Sequence, residues 1–174
     1  MWWSDFVKRP GRRLASLGLV LFGTLLAGCG FHLRGQQDLP FQSVFVPDTR
    51  GSELSSLLKR GIRTSSKAQV ADSPKEAQAI IVILRDQREK SILSLNASGR
   101  VREFELRARF GFRVVDANGQ VLVPDSEIVV RRDMTFDDSL VLAKQQEEAL
   151  IYRDMQKDLV QQILRRLAAA RIEG

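Results

Sequence analysis

"RVREFELRARFGFRVVDANG", residues 100–119, decides the fold. Phe104, Leu106, Ala108, Phe110, Phe112 and Val114 fall on one side of an extended chain, and Glu103, Glu105, Arg107, Arg109 and Arg113 on the other. Successive side chains of a strand point to opposite faces, so this period of two predicts a long strand with one core face and one solvated, charged face. Asp116-Ala117-Asn118-Gly119 ends it in a hairpin turn, for which Asn-Gly is the strongest short signal. The return strand puts Ile128, Val130, Met134 and Phe136 inward; Arg132 interrupts that face, and Pro124 marks a kink or bulge near the start.

A long helix is predicted to follow. Asp137 or Asp138 can cap it, and an acidic residue suits the positive end of the helix dipole. Tyr152, Met155, Leu159, Ile163 and Leu167 form one apolar stripe, read as a core face, with Arg165, Arg166 and Arg171 gathered at the C-terminal end.

Upstream of the long strand, "AIIVIL" (79–84) is apolar on both faces, as a central strand would be, and turns polar from Arg85 to Lys90. "SILSLNASG" (91–99) reads as a turn-rich loop exposing Ile92, Leu93 and Leu95. "FQSVFV" (41–46) reads as a short first strand ended by Pro47-Asp48. A helix then starts at the N-cap Ser52, with Leu54, Leu57, Leu58 and Ile62 at helical spacing and Gly61 weakening its last turn. Two amphipathic helices need one apolar face to cover. The expectation is an α+β fold: a two-layer sandwich, with a mixed, largely antiparallel sheet of about four strands and two helices packed against it. One domain over 41–174 accommodates all of it.

The first forty residues are different. Lys8, Arg9, Arg12 and Arg13 form a basic segment, and Leu14 to Ala27 form an apolar run of 14 residues. A membrane-crossing helix needs roughly 20, so residues 1–28 read as a signal peptide. Leu26-Ala27-Gly28-Cys29 resembles the lipobox of bacterial lipoproteins. That resemblance implies cleavage before Cys29, diacylglycerol on its sulfur and an acyl chain on its new amine, and several acyl chains make a stable anchor. Residues 29–40 are then a lipidated N-terminus and tether. Gly30, in place of an aspartate, implies sorting to the outer membrane, facing the periplasm.

Of 27 basic and 21 acidic residues, segment 1–28 holds four and one, which leaves 23 and 20, a net +3. That balance gives no reason to expect nucleic acid as a partner. Cys29 is the only cysteine and is assigned to lipid, so the domain holds together without a disulfide. His32, the only histidine, falls in the tether. There is no metal-ligand spacing, no phosphate-binding glycine loop and no nucleophile with a base, so neither catalysis nor a metal or other cofactor is expected. Glu103 and Glu105, flanked by arginines on one strand face, read as surface pairing.

Three segments in order carry a wider resemblance: Cys29-Gly30-Phe31-His32-Leu33-Arg34 after the lipobox, Gly99-Arg100-Val101-Arg102-Glu103-Phe104-Glu105-Leu106 opening the long strand, and Phe136-Asp137-Asp138 with Leu142-Ala143-Lys144, Met155 and Ile163-Leu164-Arg165-Arg166-Leu167. Together they resemble the LptE family of lipopolysaccharide-assembly lipoproteins. The resemblance implies a sheet with two packed helices, no catalytic activity, and a plug inside the lumen of the β-barrel LptD that assists barrel assembly and binds lipopolysaccharide. It assigns Lys144 to lipopolysaccharide. The family's basic loop-tip residue falls at Ala97, so that assignment does not transfer, and Arg100 or Arg102 is the substitute. For barrel contact the candidates are Ile92, Leu93 and Leu95, as an exposed apolar group, and Arg107 and Arg109 on the charged strand face, which suits a polar barrel interior. The alternative is an outer-membrane lipoprotein that carries or scaffolds another lipid or barrel-assembly partner.

Overall fold

The computed structural model describes residues 38–48 and 52–170. The signal peptide, Cys29, most of the tether and Arg171 lie outside the described residues. The described residues form five strands and two α-helices: β1 (Ser43–Phe45), α1 (Glu53–Ser65), β2 (Gln69–Ala71), β3 (Ala79–Leu95), β4 (Val101–Val115), β5 (Val121–Thr135) and α2 (Val141–Ala168). The sheet order is β2-β1-β3-β4-β5. β1 runs parallel to both β2 and β3, while β3–β4 and β4–β5 are antiparallel hairpins. This is the α+β sandwich expected, with one strand more than the four anticipated. The extra strand, β2, has three residues, too few to display an alternation. It is placed by the α1 crossover, since parallel neighbours need a connection that returns the chain to the same end of the sheet.

α1 starts as read, with Ser52 Oγ accepting from the Leu54 amide at 3.3 Å. Leu54, Leu58 and Ile62 are buried, and so is the α2 stripe from Tyr152 to Leu167. Both helices join one core with Leu106, Ala108, Phe110, Phe112 and Val114 of β4 and Ile128, Val130 and Met134 of β5. Gly61 has a role that the reading as a weak last turn missed. A Cβ there would lie 2.8 Å from Val160 Cγ1 and 3.3 Å from Leu164 Cδ1, so the residue sets how closely the helices approach. The expected cap also moves by a few residues. Asp137 Oδ1 accepts from the Ser139 amide at 2.9 Å and caps a short 3-10 turn, Asp138–Leu140, while α2 itself starts without a side-chain cap.

The larger correction concerns residues 91–99. β3 does not end in a loop at Ser91; it pairs with β4 through Ile92↔Phe104 and Leu95↔Val101. Only Asn96 to Arg100 turn the chain. Asn96 Oδ1 accepts from the Ser98 and Arg100 amides at 3.0 and 2.9 Å, and Gly99 takes φ +77°. The β4–β5 turn repeats the construction: Asp116 Oδ1 accepts from the Asn118 and Gln120 amides at 2.9 and 2.7 Å, and Gly119 takes φ +86°. Pro124 sits at the bulge foreseen, where the register shifts from Phe112↔Ser126 to Val114↔Val123. Arg132, inward by register, escapes the core by pairing with Asp158 of α2 at the sheet rim.

Candidate partner-binding surfaces

Both helices use the same face of the sheet, so among the described residues no element covers the other face of β3, β4 and β5. Its side chains form a lattice of ion pairs. Arg107 of β4 lies between Glu105 on its own strand and Glu89 on β3, the latter at 3.8 Å. Arg109 Nε is 3.2 Å from the same Glu89, Arg85 is 3.0 Å from Glu127, and Arg113 is 3.0 Å from Asp125. Ser94 Oγ donates to Glu103 at 2.6 Å. Cross-strand neighbours on one face come within reach of each other, so opposite charges on adjacent strands pair. Arg107, Arg109 and Arg113 of β4, with the Glu103 and Glu105 read as surface pairing, are therefore tied into a half-buried polar surface. Arg107 and Arg109 lie together at its centre.

A second surface forms at the end of the sheet that carries the β3–β4 turn. Arg100 pairs with Asp138 at 2.9 Å, and the Phe136 amide donates to the Arg102 carbonyl at 2.8 Å. Lys144 Nζ reaches Thr135 Oγ1 at 3.1 Å and Glu147 at 2.8 Å, with its side chain only 16% exposed. The Arg102 side chain is exposed, and among the described residues no carboxylate pairs with it. The three cations assigned to lipopolysaccharide are thus brought to one end of the molecule. Asp137 lies beside two of them: its carboxyl is held below the ordinary range first by the Ser139 hydroxyl and then by the Ser139 amide, against desolvation, with the charges of Lys144 and Arg100 as smaller contributions.

Ile92, Leu93 and Leu95 are 58, 49 and 55% exposed, as anticipated, although they extend a strand instead of forming a loop. Leu140, Val141 and Leu142 are also exposed there, Leu142 at 77%, and sequence reasoning missed them. The available signal was that Leu140 precedes the helix and Leu142 lies off its buried stripe. Beneath them Phe104 and Phe136 meet edge to face at 5.1 Å, and Lys90 Nζ, paired to Glu148 at 2.6 Å, lies 4.2 Å from the Phe104 ring centre. Between β3 and α2 a groove of about 610 Å³ is lined by Arg88, Lys90, Glu148, Tyr152 and Arg153, among others. The Arg88 guanidinium stands 5.4 Å from the Tyr152 ring centre, and the Tyr152 hydroxyl donates to the Glu89 carbonyl at 2.8 Å. Burial, with Glu148 next, pushes that phenol's pKa up. No helix among the described residues is long and apolar enough to cross a membrane.

Comparison with known proteins places the chain in context. The family profile LptE, described as lipopolysaccharide-assembly, matches residues 41–167. An LPS-assembly lipoprotein LptE from Pectobacterium atrosepticum is 28% identical, over 89% of this chain and 85% of that one. Among solved structures, an uncharacterized lipoprotein B from Nitrosomonas europaea superposes with a TM-score of 0.70 at 47% identity, over 80% of this chain and 91% of that one. A rare lipoprotein B from Shewanella oneidensis superposes with a TM-score of 0.63 at 25% identity, over 73% of this chain and 94% of that one.

Proposed function

Because the chain belongs to the LptE family of lipopolysaccharide assembly, we propose that it is a non-enzymatic outer-membrane lipoprotein, anchored through acylated Cys29, that plugs the β-barrel LptD and binds lipopolysaccharide on its way to the outer leaflet. The observation that carries this reading is the division of the domain into two faces. One face of the sheet holds the helices and the core. The other, which no element among the described residues covers, carries paired charges and suits a water-lined barrel interior, where polar side chains line the wall. Arg107, Arg109 and their glutamates offer that wall hydrogen-bonding groups without an unbalanced charge.

The turn end of the sheet supplies the ligand chemistry. Lipopolysaccharide joins phosphates and acidic sugars to acyl chains, and this end joins Lys144, Arg100 and Arg102 to the exposed Leu140, Val141 and Leu142, with Ile92, Leu93 and Leu95 left to the barrel. Arg100 is held by an exposed pair with Asp138, and such pairs contribute about 0–1 kcal/mol. Lys144 is held by an i,i+3 pair with Glu147, about 0.2–0.5 kcal/mol. Both are weak beside a charge-assisted contact to phosphate, so a phosphate can displace the carboxylates, and arginine can do so with two parallel hydrogen bonds.

The test is an affinity pull-down of the tagged full-length protein from detergent-solubilised outer membrane. A large β-barrel recovered in roughly equal amount, and retained at high salt, is the expected result. Recovery of the lipoprotein alone, or with only a soluble partner, would overturn the plug.

A further inference from the structure

The two outer edges of the β3–β4–β5 blade are finished differently. β5 is protected at three points. Pro124 has no amide hydrogen to offer, Arg166 Nη2 donates to the Glu127 carbonyl at 3.0 Å, and Arg132 Nη1 to the Arg131 carbonyl at 2.9 Å. Proline, charge and capped carbonyls are the devices by which natural sheets keep an edge from pairing with another chain.

β3 is protected only in part. β1 pairs with it at Ala79 and Ile80, and among the described residues no strand lies on its outer side from Ile81 to Leu95. Along Arg85–Lys90 five of six residues are charged, and Ser52 Oγ donates to Asp86 at 2.6 Å. That protection by charge then stops. Ser91-Ile92-Leu93-Ser94-Leu95 has no charge, no proline and no glycine, and its three apolar residues are about half exposed or more. A register shift between Ile92 and Ser94 leaves Leu93 without a cross-strand partner on β4.

We propose that Ser91–Leu95 is a docking edge on which an extended segment of the protein partner adds as a further strand. An open row of backbone donors and acceptors is satisfied along its length only by another extended backbone, and strand addition is an established mode of recognition. The pattern also specifies the segment. Opposite Ile92, Leu93 and Leu95 it carries uncharged, apolar side chains. Farther along the edge it carries a carboxylate for Arg88, which stacks on Tyr152 and has no carboxylate of its own among the described residues. The assignment rests on the reading of this chain as the partner of a barrel protein and adds to it which backbone the barrel uses.

Amide hydrogen exchange, read by mass spectrometry, tests this on the full-length lipoprotein purified with its partner and on the same protein stripped of it in detergent. In the lone protein, the amides of 91–95 that β4 does not hold, those at the register shifts included, are expected to exchange fast. In the complex the fast ones are expected to slow by on the order of 100-fold. A complex in which those amides stay fast overturns the strand and leaves the barrel partnership standing. If no partner co-purifies, the partnership fails and the strand with it. Protection already present in the lone protein and rising with its concentration would give the edge to a second copy, and also overturns the proposal.

Discussion

The Cα of Gly61 on α1 faces Val160 on α2 with no room for a methyl group, since a Cβ would stand 2.8 Å from Val160 Cγ1. Alanine is the better helix former by about 1 kcal/mol, and overpacking costs about 1–3 kcal/mol, so the contact should decide the sign. Val160 is β-branched and cannot swing its methyl aside cheaply. Gly61→Ala is expected to lower stability by about 1 kcal/mol in urea unfolding, and the double variant G61A/V160A to respond less than the sum of its two single changes.

Gly99 and Gly119 hold the same left-handed conformation in turns of the same construction. A Cβ would meet nothing at either site, so the cost of alanine is conformational and is expected at about 1–2 kcal/mol in each case. Unequal losses from G99A and G119A would mean that one turn rearranges where the other holds.

Asp137 gives a pH dependence with a definite sign. Its folded pKa lies below the ordinary 3.8, with the Ser139 hydroxyl as the largest cause. The stabilisation is therefore present above the unfolded value and is lost as pH falls through the folded one. The unfolding midpoint of wild type should exceed that of Asp137→Asn at neutral pH, and the gap should narrow below pH 3.8.

Glu147 holds the ammonium of Lys144 at 2.8 Å. If lipopolysaccharide phosphate takes that ammonium, Lys144→Ala weakens binding of purified lipopolysaccharide and flattens its salt dependence. Glu147→Gln, which releases the same ammonium, should strengthen binding. Opposite responses from two neighbouring substitutions with similar melting temperatures separate a ligand role from a structural one.

Arg107 and Arg109 share Glu89, so charge reversal acts on the fold as well as on any partner. The double variant R107E/R109E is expected to lose the co-purified barrel. Adding E89R restores opposite charges across β3 and β4, and recovery of the melting temperature without recovery of the barrel assigns the arginines to the partner.

Most of the architecture was legible because burial leaves a periodic trace. Alternation along β4 and the stripe on α2 each follow from one face being in the core, and no neighbour has to be known to see them. The end of β3 left no such trace, since an edge strand with exposed side chains on a sheet tip reads like a loop. The turn signal was nevertheless there: Asn96-Ala-Ser-Gly99 matches Asp116-Ala-Asn-Gly119 in construction, and only the second contains the Asn-Gly pair that marks hairpins. The packing role of Gly61 went unseen because helix propensity is local and helix packing is not. Of the candidate site, the cations were identifiable as residues, but their convergence with Leu140, Val141 and Leu142 depends on β3 and β4 pairing to the tip.

α2 comes last in the chain, yet it supplies eight buried residues and touches β4, β5 and α1. Much of the apolar surface of the earlier strands has no cover until it arrives. Contacts this distant in sequence are slow to form, and unsatisfied apolar strands invite aggregation meanwhile. Folding of the domain is therefore expected to wait on α2, because the apolar surface of β4, β5 and α1 that it covers is closed only when residues up to Leu167 are in place.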